Sequence, residues 1–250
     1  MSLDFEGPVE VIAHRGYSAR APENTLAAME LALEVGADAL EFDIRTARDG
    51  TPFLFHDASL SRTTNATGAI QDWSPERLAQ LDAGSWFDPR FENEPIPSLR
   101  HTLERVGPRV GRVYAEVKGY RKPSDLDRMV EIVIDAEMLE RTVFISMDWG
   151  ALARIRSVSR TAHIGYIVER AARTNEGMAR AGGDPHALLD FDARVLLADP
   201  YVAERARAAS IELATWTVNR VDEAARLVAM GVPRITTNEV RTLVDWKATL

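Results

Sequence analysis

The chain contains no cysteine, which excludes disulfides, thiolate nucleophiles and zinc–sulfur sites. It has no apolar run approaching the ~20 residues needed to cross a bilayer, so no transmembrane segment is expected. Positive charge is in the minority: 30 Lys and Arg against 38 Asp and Glu leave a formal net charge of -8. Nucleic-acid phosphates need a basic face, so nucleic acid is not an expected partner. An anionic small molecule would have to be received by a local positive patch. Residues 1–6 carry acid where a secretory leader carries base, and they lack an apolar core, so the expected location is the cytoplasm. There is no internal repeat or low-complexity tract. Hydrophobic residues at 46% and charged residues at 27% are ordinary for a soluble globular protein, and 250 residues can bury a sizeable core.

What the chain does have is alternation. Short β-branched runs follow helical patterns from end to end, as in a parallel sheet with helices outside it. Strands are expected over 9–14, 39–43, 112–118, 142–146, 162–168, 194–198, 212–218 and 234–237. The clearest helices are expected over 24–35, 124–137, 148–159, 221–230 and 239–248. Gly36 and Gly231 stand where C-terminal caps belong, and Asn24 and Ser124 where N-terminal caps belong. Eight parallel strands with helical returns make an α/β protein of the (β/α)8 TIM barrel type, here one domain over 1–250. A further strand, 52–55, breaks the pattern, because residues 44–51 are too few for a helical crossover. Asp49-Gly50 instead signals a two-residue antiparallel hairpin. Pairing Arg48 with Thr51 across that turn sets Asp43 opposite His56. Residues 58–97, rich in Thr, Asn, Gly and Pro with a short helix near 75–81, form a small insertion expected to cover the site at the carboxyl ends of the strands.

The chemistry-bearing residues gather at those ends. Glu41 and Asp43 are two apart on one strand and so share a face. Turned to solvent they would be unremarkable, but both faces of a closed parallel barrel are buried. Two carboxylates inside it repel and lose hydration unless a cation holds them. Glu116, near the end of the next barrel strand, can supply a third oxygen ligand, and such an all-oxygen site suits one divalent cation, Mg2+ or Ca2+. His14 and His56 are candidates for a general acid–base pair, with the two roles unassigned. Arg15 offers a planar donor fork to phosphate and Lys118 a point charge, the lesser alternative for Lys118 being a simple ion pair with a neighbouring acid. Trp216, at a strand end, either lines the pocket mouth or packs in the core. Asp57 either orients His56 or caps the turn after it. His101, His163 and His186 have no partner pattern and are expected to be structural. Together these groups are the equipment of a metal-assisted phosphodiester hydrolase with a small-molecule substrate.

The motifs His14-Arg15-Gly16, Pro22-Glu23-Asn24-Thr25, Gly36-Ala37-Asp38, Glu41-Phe42-Asp43, Asp49-Gly50 and His56-Asp57 resemble the signature of the glycerophosphodiester phosphodiesterase family. Arg62-Thr63-Thr64-Asn65, Ile96-Pro97-Ser98-Leu99, Glu116-Val117-Lys118 and Trp216-Thr217-Val218-Asn219 extend the likeness along nearly the whole chain. The resemblance implies metal-dependent hydrolysis of a glycerophosphodiester to sn-glycerol 3-phosphate and an alcohol. It implies attack on phosphorus by the glycerol 2-hydroxyl, then opening of the cyclic phosphate by water, with direct attack by water as the other route. It also gives Glu23 and Asn24 supporting roles beyond capping a helix. Two departures stand out: Ser146-Met147 where the family usually has Ser-Phe, and Thr237-Asn238-Glu239 where it usually has Thr-Asp and then Pro. Asn238 is expected to cap a helix as Asp would.

Two other functions fit the same residues. A related phosphodiesterase acting on lysolipids would want an apolar rim on the insertion, where Trp73, Trp86, Phe87 and Phe91 are the candidates. A non-catalytic sugar-phosphate-binding barrel would usually have lost a histidine or a carboxylate, and none is missing here. The alcohol leaving group and the oligomeric state are not encoded in any motif.

Overall fold

The computed structural model describes residues 7–250, so the amino-terminal segment considered above for a leader lies outside the described residues. One sheet contains strands β1 (Glu10–Ala13), β2 (Ala39–Thr46), β3 (Pro52–Leu54), β4 (Arg112–Gly119), β5 (Thr142–Ser146), β6 (His163–Val168), β7 (Ala187–Asp192), β8 (Glu212–Trp216) and β9 (Arg234–Thr237). Its order is β1-β9-β8-β7-β6-β5-β4-β2-β3, and β1 also pairs with β2. That pairing closes eight parallel strands into a barrel and leaves β3 antiparallel on the outside of β2. The expected (β/α)8 barrel with one extra hairpin strand is the observed fold. Among the described residues no helix is long and apolar enough to cross a membrane.

Closure explains the two faces of β2. Leu40, Phe42 and Ile44 point outward into the main core under the helices, beside Met29, Leu103 and Val113. Glu41 and Asp43 therefore point inward. The barrel interior is filled by Ile12, Ala39, Tyr114, Val143, Ile145, Ile167, Leu188 and Ala214. At the amino end of the barrel Glu10 accepts from Arg112 Nη1 (2.7 Å), Tyr114 OH (2.7 Å) and Arg234 Nη1 (2.5 Å). Arg234 also reaches Glu212. Charges at this end are matched by partners, whereas buried carboxylate oxygens without a hydrogen-bond partner, on Glu41 and Asp43, collect at the other.

Several local expectations are corrected. The segment expected as strand 194–198 is the helix Ala193–Ala198, and the strand is Ala187–Asp192. Both are short apolar runs, which periodicity alone does not separate. The deciding group is the Asp192 carboxylate, which accepts from Arg194 N and starts the helix. Asn24 and Ser124 are not caps: Thr25 caps the helix Leu26–Glu34, and the helix Pro123–Asp135 starts on Pro123 without a side-chain cap. Gly36 and Gly231 do follow helix ends, at φ 92° and 87°.

The hairpin between β2 and β3 is also one residue longer than expected. Ala47 N donates to Thr51 O (2.8 Å) and Gly50 N to Ala47 O (2.9 Å), so the loop is 48–50. This is a three-residue loop ending in a left-handed glycine, stabilised by Asp49 Oδ1 accepting from Thr51 N. A side chain at Gly50 would lie 2.5 Å from Asp125 Oδ1, so space and φ both require glycine. The added residue shifts the register to Arg45↔Phe53, and Phe55, not His56, is the residue opposite Asp43. Beyond the hairpin, residues of the 58–97 excursion bury Leu60, Ile70, Leu78, Ala83 and Ile96 against Ala47, Phe53 and Phe55 as a separate small core.

His163 and His186 stack edge to face, 4.9 Å between ring centres. Burial, His186 and Arg112 push the His163 imidazole down to about 4. A histidine held neutral in the fold contributes stability that is complete above ~6.5 and is lost as pH falls toward its folded value. Between about pH 7.5 and pH 4.5, urea unfolding should therefore show a loss of stability about 2 kcal/mol smaller in His163→Gln than in wild type. Equal losses in the two proteins would exclude His163 as an acid-labile site.

Candidate active site

The first loop of the barrel is shaped by backbone demands. His14 N donates to Thr237 O, carrying the β1 pairing one residue further. The chain then turns through Arg15 and Gly16, at φ 55° and 78°. A Cβ on Gly16 would stand 2.6 Å from the Ala28 carbonyl carbon, so only glycine fits against the helix. Arg15 N donates to Glu41 Oε2 at 2.8 Å. Asn24, also left-handed at φ 60°, exchanges two hydrogen bonds with Asp43: Nδ2 to Oδ2 at 2.8 Å, and Asp43 N to Oδ1 at 3.0 Å. Asn24 therefore serves the site and not a helix end. Non-glycine residues in that conformation cost on the order of 1–3 kcal/mol and persist where surrounding bonds over-determine them.

Glu41, Asp43 and Glu116 bring carboxylate oxygens within 4.8 Å of one another, and all three residues are buried. Glu41 Oε1 and Asp43 Oδ1 have no hydrogen-bond partner. Burial, with Asp43 and Glu116 beside it, pushes the Glu41 carboxyl well above the usual carboxylate range. Burial and Asp43 push Glu116 up to about 7. Asp43 also feels burial, but Arg15 and Lys118 outweigh it and hold the carboxyl below its ordinary value. Converging, desolvated and partly unbonded oxygens fit a hard divalent cation, which would satisfy the orphaned atoms and cancel the repulsion.

The two histidines occupy different settings. His14 Nδ1 donates to Asn238 Oδ1 at 2.7 Å, which leaves Nε2 free, 3.9 Å from Glu41 Oε2. Burial and the adjacent Arg15 guanidinium push this imidazole down to about 4, so it is neutral near pH 7. Asn238, expected to cap a helix, instead orients His14, and it also accepts from Ser18 Oγ. His56 leaves the ladder beyond β3, where Arg45 Nε donates to its carbonyl at 2.6 Å. This exit returns the ring to the site despite the shifted register. His56 Nδ1 donates to Asp57 Oδ1 at 2.6 Å, so Asp57 is an orienting residue. Arg62, with its partner His56, holds the Asp57 carboxyl down to about 2.

Arg62 bridges Asp57 (2.6 Å) and Glu23 (2.7 Å), and Glu23 bridges on to Arg15 (2.8 Å). Arg15 Nε lies 3.1 Å from Asp43. One chain of ion pairs thus joins both histidine loops to the carboxylates. Lys118 lies 2.9 Å from Glu116 and 3.8 Å from Asp43, so its pairing with neighbouring acids is real in this state.

A cavity of about 200 Å³ is lined by His14, Arg15, Glu41, His56, Glu116 and Lys118 on its polar side and by Ile145, Met147, Ile167 and Trp216 on its apolar side. Asp43 lies buried behind this lining, bonded to Asn24. No residue of 58–97 lines the cavity. That excursion, expected as a cover, packs its apolar side chains outside β3 and reaches the site only at its edge, through Arg62. Trp86, Phe87 and Phe91 cluster together within it, and Trp73 lies under Arg77. The missed residues are Arg62, Asn238 and Asp190. Arg62 stands in the motif Arg62-Thr63-Thr64-Asn65, which by itself names no partner for it, and Asn238 suits a helix cap equally well by sequence. Asp190, on β7, lines the cavity but was hidden by the misplaced strand.

Residues 14–242 match the model of the glycerophosphoryl diester phosphodiesterase family. A glycerophosphodiester phosphodiesterase of Caldanaerobacter subterraneus is 30% identical over 237 residues, 94% of this chain and 96% of the relative. A solved phosphodiesterase of Oleispira antarctica, in complex with the product sn-glycerol-3-phosphate, matches with a TM-score of 0.83 at 27% identity, covering 96% of this chain and 97% of that one. A glycerophosphodiester phosphodiesterase of Agrobacterium tumefaciens matches with a TM-score of 0.79 at 27% identity, covering 94% and 99%. The matched stretch runs from the histidine that follows β1 into the last helix and takes in every later barrel strand, and the chain belongs to the glycerophosphoryl diester phosphodiesterase family.

Proposed function

We propose that the protein hydrolyses glycerophosphodiesters to sn-glycerol 3-phosphate and an alcohol, with His14 as base and His56 as acid. The observation that carries this is the contrast between the two imidazoles in one cavity: one driven neutral with Nε2 free, the other backed by a carboxylate. Glu41, Asp43 and Glu116 would hold one cation, Mg2+ or Ca2+. When bound, that cation supplies Lewis-acid charge for the phosphate. Arg15 and Lys118 add fixed positive charge, each giving up part of its present carboxylate pairing.

His14 Nε2 takes the proton from the attacking oxygen, the glycerol 2-hydroxyl. His56, oriented by Asp57, gives a proton to the departing alkoxide. The two residues then exchange roles as water opens the cyclic phosphate. Trp216 lines the pocket against the glycerol. Phosphorus NMR of glycerophosphocholine incubated with enzyme and Mg2+ or Ca2+ tests the reaction. The expected product is sn-glycerol 3-phosphate. Phosphocholine as product would mean that the other ester bond is cut, and an unchanged spectrum would remove the activity.

A further inference from the structure

Asp190 is the one acid of the cavity lining that stands apart from the carboxylate triad and the ion-pair chain. It sits on β7 with Ile167 beside it on one neighbouring strand and Ala214 on the other. The residue is 3% exposed, and its Oδ1 is buried with no hydrogen-bond partner. The lining on this side is mostly apolar, with Ile145, Met147, Ile167 and Trp216, and its other polar members there are the uncharged Thr217 and Thr236. The indole Nε1 of Trp216 donates to the Asp190 main-chain carbonyl, so it does not satisfy the carboxyl. Leaving a buried carboxyl oxygen unbonded is destabilising, and a nonpolar residue of similar size would avoid that cost. An acid placed on a mostly apolar wall of a substrate pocket is a feature in need of a ligand.

We propose that Asp190 is a specificity-determining residue whose carboxyl hydrogen-bonds the terminal hydroxyl of the glycerol unit. This rests on the glycerophosphodiester reading above. With the phosphate held at Arg15, Lys118 and the triad, the carbon chain of the glycerol lies across Ile145, Ile167 and Trp216, and its far hydroxyl meets Asp190. Burial pushes the Asp190 carboxyl above its ordinary range, and a carboxyl can accept from a hydroxyl in either protonation state. The same contact selects against lysolipids. In a substrate acylated at that oxygen the hydroxyl proton is gone and the acyl chain has to enter beside a buried acid.

The test compares binding of sn-glycerol 3-phosphate with that of propane-1,2-diol 1-phosphate, which lacks only the terminal hydroxyl. Calorimetry on the cation-loaded protein reads binding without turnover. Wild type should favour the glycerol compound by ~10²-fold, since a site built for a hydroxyl rejects an analogue lacking it. Asp190→Ala should reduce that ratio to a few-fold or less, and Asp190→Asn, which keeps a donor and an acceptor, should retain most of it. Asp190→Ser answers the same question should Asp190→Ala fail to fold. Equal binding of the two compounds by wild type, or an undiminished ratio in Asp190→Ala or Asp190→Ser, overturns the proposal. Selective binding without hydrolysis of glycerophosphocholine would uphold Asp190 and overturn the catalytic reading instead.

Discussion

Replacing His14 or His56 with Ala is expected to cut turnover by ~10²–10⁴-fold while the fold survives, because general acid–base catalysis is worth about that much. The two losses should differ in kind. His14 is neutral and its Nδ1 proton is committed to Asn238, so its one free nitrogen is a lone pair suited to accept. His56 is oriented through Nδ1 by the Asp57 carboxylate, itself held down to about 2, which leaves its Nε2 to face the leaving group. A glycerophosphodiester with a p-nitrophenolate leaving group needs no proton on departure. His56→Ala should recover most of its rate of p-nitrophenolate release in the first turnover, and His14→Ala should not. Equal rescue would mean that neither histidine is a dedicated acid, and rescue of His14→Ala alone would reverse the assignment.

The second large effect concerns the triad. Glu41→Gln should lower turnover by ~10³-fold or more, since the charge neutralisation at stake is several kcal/mol and each 1.36 kcal/mol is tenfold. The same change should stabilise the protein in chelator. It removes a carboxyl that burial and two neighbouring carboxylates make costly, and replaces it with a neutral isostere. The expected gain is on the order of 1 kcal/mol or more, read as a higher Tm in EDTA. Adding Mg2+ or Ca2+ should raise the Tm of wild type and leave Glu41→Gln nearly unmoved. A variant less stable in EDTA and still stabilised by cation as wild type is would show that Glu41 is no ligand.

The barrel and the gathering of chemistry at strand ends were legible because both depend on periodicities that a sequence displays. Glu41 and Asp43 alternate with Leu40, Phe42 and Ile44, and closure of the barrel turns that alternation into an inside and an outside. What could not be read depended on single residues whose effect is geometric. One extra loop residue, Arg48, moved the hairpin register and placed Phe55 opposite Asp43. His56 still reached the site, but by leaving the ladder beyond β3, where Arg45 holds its carbonyl, and not by the pairing expected. Asn24 and Asn238 look like helix caps because that is the commonest local use of Asn, and only tertiary contact assigns them to Asp43 and His14. Ala187–Asp192 and Ala193–Ala198 are adjacent apolar runs of equal length, so choosing the wrong one concealed Asp190.

The most direct test is steady-state turnover of glycerophosphocholine and of lysophosphatidylcholine, each with Mg2+ or Ca2+ and again in excess chelator. A cavity lined by the carboxylate site, both histidines and a buried acid on its apolar wall, with no aromatic from 58–97 at its edge, should turn over glycerophosphocholine with the higher kcat/KM. That activity should vanish in chelator and return with added cation. Turnover that persists in chelator, or that is confined to the lysolipid, would contradict the account.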